Sequence, residues 1–269
     1  MTRSNKAETP FSTISIVAIS DTRSLNSSLS EEWPTADLFI HAGNLTQHGT
    51  KEELQSAIEW LISLPYAHKV VIAGNHDIGL DKSCTYRSSL GPSSGTYAVP
   101  EETDALINSM SQGGITYLSP ERPSVEISVR ECDVRIYGLP YSPLSPGPSA
   151  FMRSRSEDTW ENVNGNYDIL VSHSPPKGHL DQTRFLDHIG CTHFLSAIKR
   201  LRPRAAIFGQ VYESRGKETR IWGHGRCTTL YNVSVMNREK TLSPPTAFNL
   251  TVPRRSGTVG EPLPRIDNA

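Results

Sequence analysis

Apolar positions in the first third of the chain fall into two registers. Ile14, Ile16, Val17, Ala18 and Ile19 form a short run that stops at Ser20-Asp21, and Ala36 to Gly43 and Lys69 to Gly74 form two more. Near-continuous apolar runs of this length are the mark of strands buried on both faces. Between the second and third, Leu54, Ala57, Ile58 and Leu61 recur at helical spacing. Thr50 followed by Glu53 predicts a capping box at the start of that helix, and Pro65 marks its end. Strands alternating with a helix predict a parallel sheet with crossover connections.

Further along, the pattern predicts a helix near Asp104 to Ser111 and short strands at Ile115 to Leu118, Val125 to Val129 and Val134 to Leu139. A loop rich in Pro, Ser and Gly follows, from Pro140 to Ser149. Tyr167 to Val171 and Ala205 to Phe208 are two more apolar strands, with a helix between them from Cys191 to Leu201. Short β-like runs at Arg220 to Trp222, Thr228 to Val235 and Ala247 to Val252 close the pattern. The pattern implies a flexible N-terminus at 1–12, one folded domain at 13–252 and a disordered tail at 253–269.

Composition narrows the partners. Lys and Arg number 27 against 28 Asp and Glu, a net charge of -1, which speaks against a nucleic-acid partner. No run approaches a membrane-spanning length, and the N-terminal stretch lacks the continuous apolar core of a signal peptide, so a cytoplasmic protein off the membrane is expected. Cys84, Cys132, Cys191 and Cys227 form no CxxC pair, so reduced thiols are expected rather than a zinc knuckle or disulfide framework. The sequence implies no oligomeric state.

Ligands of open α/β sheets bind beyond the carboxyl ends of strands. Polar segments in that position are Ser20-Asp21-Thr22-Arg23, Gly43-Asn44-Leu45-Thr46, Gly74-Asn75-His76-Asp77, Val171 to Pro176, and Gly209-Gln210-Val211-Tyr212-Glu213. In this order they resemble the calcineurin-like metallophosphoesterase superfamily, with its DxH, GDxx, GNHD, lone His and GHxH motifs. Ser172 to Asp181 (SHSPPKGHLD), Arg202 to Gly216 (RPRAAIFGQVYESRG) and Gly138 to Pro143 (GLPYSP) are similar to its small single-domain MPPED-type branch. The resemblance covers Ser15 to Leu250. It implies a four-layer α-β-β-α sandwich of two facing mixed β-sheets, and an ancestral site in which two divalent metals activate water against a phosphoester.

Carried over position by position, Asp21, Asn75 and His173 match metal ligands, and His76 matches the imidazole that assists the leaving group. Arg23 stands where DxH has its histidine, Asn44 where GDxx has its bridging aspartate, and Gln210 and Tyr212 where GHxH has its two histidines. An amide lacks the charge that holds two cations together, and a guanidinium has no acceptor and stays protonated. At about 4 Å and an effective dielectric near 20, Arg23 would repel a dication by roughly 8 kcal/mol. Arg23 is instead expected to pair with Asp21 in place of the lost metal. No cofactor is expected, or at most a single weakly bound divalent metal.

These positions imply a cleft for a small anionic molecule, with Asp21, His76, His173 and Tyr212 for acid/base work and Arg23, Asn44, Asn75 and Gln210 for binding. The expected function is a repurposed, metal-independent enzyme of small-molecule metabolism. The alternatives are a non-catalytic binding or regulatory pseudoenzyme, and a residual metal-dependent phosphoesterase. Blander readings stay open: Asp21 and His173 as hydrogen-bonded remnants, Tyr212 as filler for vacated space, and Asp77 as a loop support. His41 reads as a core residue and His224 as part of a turn. Asn44-Leu45-Thr46 has the form of a glycosylation sequon without a secretory context, and the basic end of the 191–201 helix reads as solvated.

Overall fold

A computed structural model of the chain describes residues 10–25, 29, 32–84, 97–98, 100–144, 149–223, 227–237, 239 and 241–255. The strands are β1 (Phe11–Ile19), β2 (Leu38–Ala42), β3 (Lys69–Ile72), β4 (Ile115–Leu118), β5 (Ser124–Val129), β6 (Cys132–Leu139), β7 (Ser142–Pro143), β8 (Met152–Arg153), β9 (Ile169–Ser172), β10 (Ala205–Phe208), β11 (Gly216–Ile221), β12 (Cys227–Asn232) and β13 (Thr246–Pro253). The helices are α1 (Lys51–Ser63), α2 (Pro100–Gln112) and α3 (Thr192–Leu201). One sheet has the order β13-β1-β2-β3-β4 and the other β11-β12-β10-β9-β6-β5, with β7-β8 apart. Both large sheets are mixed. Their inner strands run parallel, while β13, β11 and β5 add antiparallel edges.

Side-chain alternation explains the layers. Ile14, Ile16 and Ala18 of β1, Leu38 and Ile40 of β2, and Val70 and Ile72 of β3 face Ile136, Ile169, Val171 and Ile207 across the two sheets. Val17, Phe39 and Val71 point the other way and pack with Leu54, Ile58, Leu61 and Leu106 of α1 and α2. On the second sheet Leu170, Ala206 and Phe208 turn outward onto Phe194 and Ile198 of α3. Both faces of each central strand are therefore buried, which is why their sequences read as unbroken apolar runs. The result is the expected four-layer sandwich.

Local signals account for the ends. Thr50 Oγ1 accepts from Glu53 N at 3.2 Å and a Glu53 carboxylate oxygen accepts from Thr50 N at 3.4 Å, the capping box in full. α2 opens at Pro100, earlier than the periodicity suggested, because proline at a first helical position has no N–H to leave unpaired and Glu101 and Glu102 favour the positive end of the dipole. The basic end of α3 is not simply solvated: Arg200 donates to the carbonyls of Trp160, at 2.8 Å, and Val163.

The folded boundaries lie outside 13–252. β1 starts at Phe11, and β13 continues through Pro253, pairing Phe11 with it; Arg254 N then donates to Pro10 O at 3.0 Å. Strand pairing across the chain supplies the order that composition alone did not indicate. The remainder of the expected tail, 256–269, lies outside the described residues, as do 1–9 and His224. All four cysteines are free thiols. Among the described residues no helix is long and apolar enough to cross a membrane.

Candidate functional site

Loops after β1, β2, β3, β9 and β10 meet at one end of the sandwich, and they bring together Asp21, Asn44, Asn75, His173 and Gln210. Three of these loops, after β1, β2 and β10, leave their strands through an unusual backbone. Asp21 (φ 59), Arg23 (φ 45), Asn44 (φ 58) and Gln210 (φ 69) all adopt the left-handed region, a conformation that is costly for residues with a Cβ and concentrates at functional sites. Gly43 (φ 93) lets the β2 loop lie against its neighbours; a Cβ there would fall 2.6 Å from both Ala73 O and His173 Nδ1.

Asp21 is buried and its oxygens are engaged. Oδ2 accepts from Ser20 Oγ (2.7 Å) and Gln210 N (2.9 Å), and Oδ1 accepts from Asn44 Nδ2 (2.9 Å). Burial alone would raise its pKa, but the nearby charges of His173 and Arg23 and the hydrogen bonds from Ser20 and Gln210 outweigh that and hold it below the usual carboxylate value. The expected Asp21–Arg23 pair does not form: among the described residues no ion pair within 4.0 Å joins them, and Arg23 acts at longer range. Three other donors occupy the carboxylate, and the Arg23 backbone N donates to Asn44 O at 3.1 Å.

Asn44 is fixed in one orientation. Its Oδ1 accepts from His76 N (2.9 Å), so its Nδ2 faces Asp21 and Asn75 Oδ1 (3.2 Å). Asn75 Oδ1 is also 3.1 Å from His173 Nε2, while His173 Nδ1 donates to Ala42 O at 2.8 Å. In a neutral ring, Nε2 and Asn75 Oδ1 are both acceptors, an arrangement that a shared proton or cation relieves.

His76 is half-buried at the rim. Its Nδ1 donates to Gln47 O at 2.7 Å, which leaves Nε2 with a free lone pair. Burial, followed by the charge of Arg23, lowers its pKa to about 4. Tyr212 lies in the short 3-10 turn 212–214, and among the described residues its phenol makes no hydrogen bond to the other site residues. Asp77 is a loop support. Its buried carboxylate accepts from Leu45 N, Thr46 N, Thr46 Oγ1 and Gly74 N, tying the β2 and β3 loops together.

Several contributors escaped the sequence reading. Ser20 supplies a direct donor to Asp21, and its place just before that aspartate was the one available signal. Gln210 binds Asp21 through its backbone N, while its Oε1 is buried without a partner among the described residues; Arg23 Nε, Ser174 Oγ and Ser234 Oγ share that condition. Such groups are normally satisfied in a folded protein. The segment SHSPPKGHLD is explained by its last residue: buried Asp181 accepts from Gly178 N (2.9 Å), Gly190 N (3.0 Å) and His188 Nδ1 (2.6 Å), closing the loop on itself.

His41 is a core residue, wholly buried. Its Nδ1 accepts from Gly43 N at 3.2 Å, so its Nε2–H donates to Thr22 Oγ1 at 3.1 Å, which in turn donates to Leu45 O. Burial lowers its pKa to about 3. The folded state therefore resists protonation that the unfolded chain accepts near pH 6.5. Stability present above that pH is expected to drain by several kcal/mol as pH falls toward 3. Urea titrations of wild type and His41→Gln at pH 7, 5 and 4 check it; a loss with pH of equal size in the variant would show that His41 is not the source.

The strand order and the five strand-end loops define the chain's class. The family pattern described as calcineurin-like phosphoesterase matches residues 14–210, and the chain belongs to that family. Human metallophosphoesterase domain-containing protein 1 is 32% identical over 251 residues, covering 89% of this chain and 72% of the relative. A probable rhamnogalacturonate lyase C of Emericella nidulans is 34% identical over 220 residues, 81% of this chain; the match spans only 19% of that relative's length. Among solved structures, TT1561 of Thermus thermophilus superposes with a TM-score of 0.51 at 12% identity, covering 84% of this chain and 92% of the other. Phosphopantetheinyl hydrolase from Mycobacterium tuberculosis gives 0.50 at 16%, covering 82% and 89%. At these identities the structures show the fold alone.

Proposed function

We propose that this chain has exchanged two-metal hydrolysis for metal-independent acid/base chemistry on a small anionic molecule. The observation that carries this is the charge and donor balance of the cleft. The Arg23 guanidinium acts on Asp21 at longer range without pairing with it, three donors already occupy the Asp21 carboxylate, and Asn44 turns its NH2 rather than its oxygen inward. Such a set does not fit a pair of dications. Among the described residues no group of three or more His, Cys, Asp or Glu side chains is arranged to hold a metal.

Arg23 supplies the charge that recognises an anion, and Nε2 of His76 supplies a base because the Gln47 carbonyl fixes the proton on Nδ1. Asp21 orients Asn44 and Gln210 rather than transferring protons. His173 and Tyr212 remain candidates for the acid, and Asn75 and Gln210 for positioning. A second reading, one weakly held divalent metal on Asn75 and His173, draws on the 3.1 Å approach of Oδ1 and Nε2.

Metal analysis of the purified protein, beside hydrolysis of a generic aryl phosphodiester with and without chelator, separates the readings. Substoichiometric metal and no chelator-sensitive turnover are expected; stoichiometric metal with chelator-sensitive hydrolysis would sink the proposal. Where a metabolite screen finds an activity, His76→Ala is expected to reduce it about 100-fold or more, the usual contribution of a general base. Equal kcat/KM in His76→Ala and wild type would remove His76 from the chemistry.

A further inference from the structure

The N-terminal turns of α1 and α2 lie side by side, where Lys51 Nζ meets Glu102 Oε1 at 2.7 Å. From that ion pair a groove of about 410 Å³ runs between the helices as far as Ile62 and Ser109. Its α1 wall, from Lys51 to Ile62, is three turns long, roughly 16 Å at about 1.5 Å per residue. Ile58 and Leu106, almost wholly buried, form the floor. Ile62 and Ala105 supply the apolar surface that a partner would cover. Ile62 is 42% exposed, and because a Cβ at Gly113 would collide with its Cγ1 and Cδ1, its side chain lies across the turn that ends α2. Ala105 is exposed on the facing helix.

The walls are more acidic than the helices themselves require. Together α1 and α2 carry Glu52, Glu53, Glu59, Glu101, Glu102 and Asp104 against Lys51, in a chain whose net charge is -1. Carboxylates in the first turns answer the helix dipole, and Glu53 also closes the capping box. The dipole equally favours cations in the last turn, yet neither helix has one there, whereas α3 ends in Lys199 and Arg200. Glu59 lines the groove past the middle of α1, where the dipole gives a carboxylate no support. Lys51 is taken by Glu102 and Lys82 by Asp104, so Glu52, Glu59 and Glu101 have no salt bridge among the described residues.

An apolar strip between acidic walls, three turns long, has the dimensions and charge to receive one face of a helix whose apolar stripe is flanked by lysine or arginine. A second copy of this chain is the wrong occupant. An isologous contact through α1 and α2 would set carboxylates against carboxylates.

We propose that this groove docks a basic amphipathic helix of a partner protein, its apolar stripe on Ile62 and Ala105 and its cations against Glu59 and the carboxylates beside it. The surface lies on the helical layer outside the first sheet and does not depend on the cleft's chemistry. The test is calorimetric titration of the full chain with a helical peptide of Leu and Lys, about 16 residues long, its leucines on one stripe. Controls are the same leucine stripe with Glu for Lys, and a scrambled order of the first peptide. Saturable binding of the Leu-Lys peptide is expected, with each control weaker by about tenfold or more. Ala105→Lys is expected to weaken it about tenfold while leaving the fold intact, since Lys is nearly as good a helix former as Ala. Ile62→Lys should weaken it at least as much. Glu161→Lys, a larger charge change beside Trp160 in the layer of α3, should bind as wild type does. Absence of saturable binding, a control peptide that binds as tightly as the first, or wild-type affinity in both groove variants would each overturn the assignment. So would an equal loss in Glu161→Lys, which would mark the binding as diffuse charge attraction.

Discussion

Combining Arg23→His, Asn44→Asp, Gln210→His and Tyr212→His in one chain is expected to produce stoichiometric uptake of divalent metal, tighter than wild type by about a thousandfold or more. Arg23→His removes a permanent cation and Asn44→Asp adds a carboxylate, a swing of two charges at the point where a metal would sit. One guanidinium at about 4 Å repels a dication by roughly 8 kcal/mol at an effective dielectric near 20, far more than a thousandfold requires. The rest of the donor set is in place: Asp21 is buried and ionised by its surroundings, and Asn75 Oδ1 and His173 Nε2 approach to 3.1 Å with His173 already oriented by Ala42 O. Calorimetry with manganese or zinc, and a chelator-reversible rise in melting temperature, measure the gain. A variant that folds but takes up no metal would show that the loops, and not the four side chains, have abandoned the site.

Asp77→Ala is expected to be the most destabilising single change at this end of the molecule. Four donors, Leu45 N, Thr46 N, Thr46 Oγ1 and Gly74 N, lose their acceptor together in a region without water access to replace it. At about 1–3 kcal/mol for each buried group left unsatisfied, partial relaxation still leaves a loss on the order of 4 kcal/mol or more, a large fraction of an ordinary domain's stability. Asp77→Asn keeps one oxygen acceptor and should fall between. Denaturant midpoints at constant m-value report the difference. A loss below about 1 kcal/mol for Asp77→Ala would mean the β2 and β3 loops are held by other contacts.

Much of the fold was legible because central strands of a two-layered sheet are buried on both sides. Ile14 to Ile19, Leu38 to Ala42 and Ala205 to Phe208 are apolar but for Ser15 and His41, and the pattern exposed them. The Thr50–Glu53 capping box was likewise a local device that sequence spacing records. β11 was read short because its pattern is largely exposed and polar, whereas β13, whose burial alternates, was read to within one residue at each end. β13 takes its order from β1, distant in sequence, while β11 pairs with β12 immediately downstream.

The site divides in the same way. The polar residues after each strand were visible, because a strand must end before its loop can carry chemistry. What they do with one another was not. Asp21 and Arg23 are two residues apart, yet the Asp21 carboxylate takes its donors from Ser20, Asn44 and Gln210 and not from Arg23.

The sequence by itself determined the layers, the position of the strand ends and which residue types stand there, since burial periodicity and side-chain chemistry are properties of each short segment. Tertiary structure alone decided which way the Asn44 amide faces, which oxygens of Asp21 are engaged, and the assignment of Asp77 to holding loops together. Each of these depends on groups tens to nearly two hundred positions apart meeting within hydrogen-bond range, and the direction of a hydrogen bond is settled only by the partner on its other side.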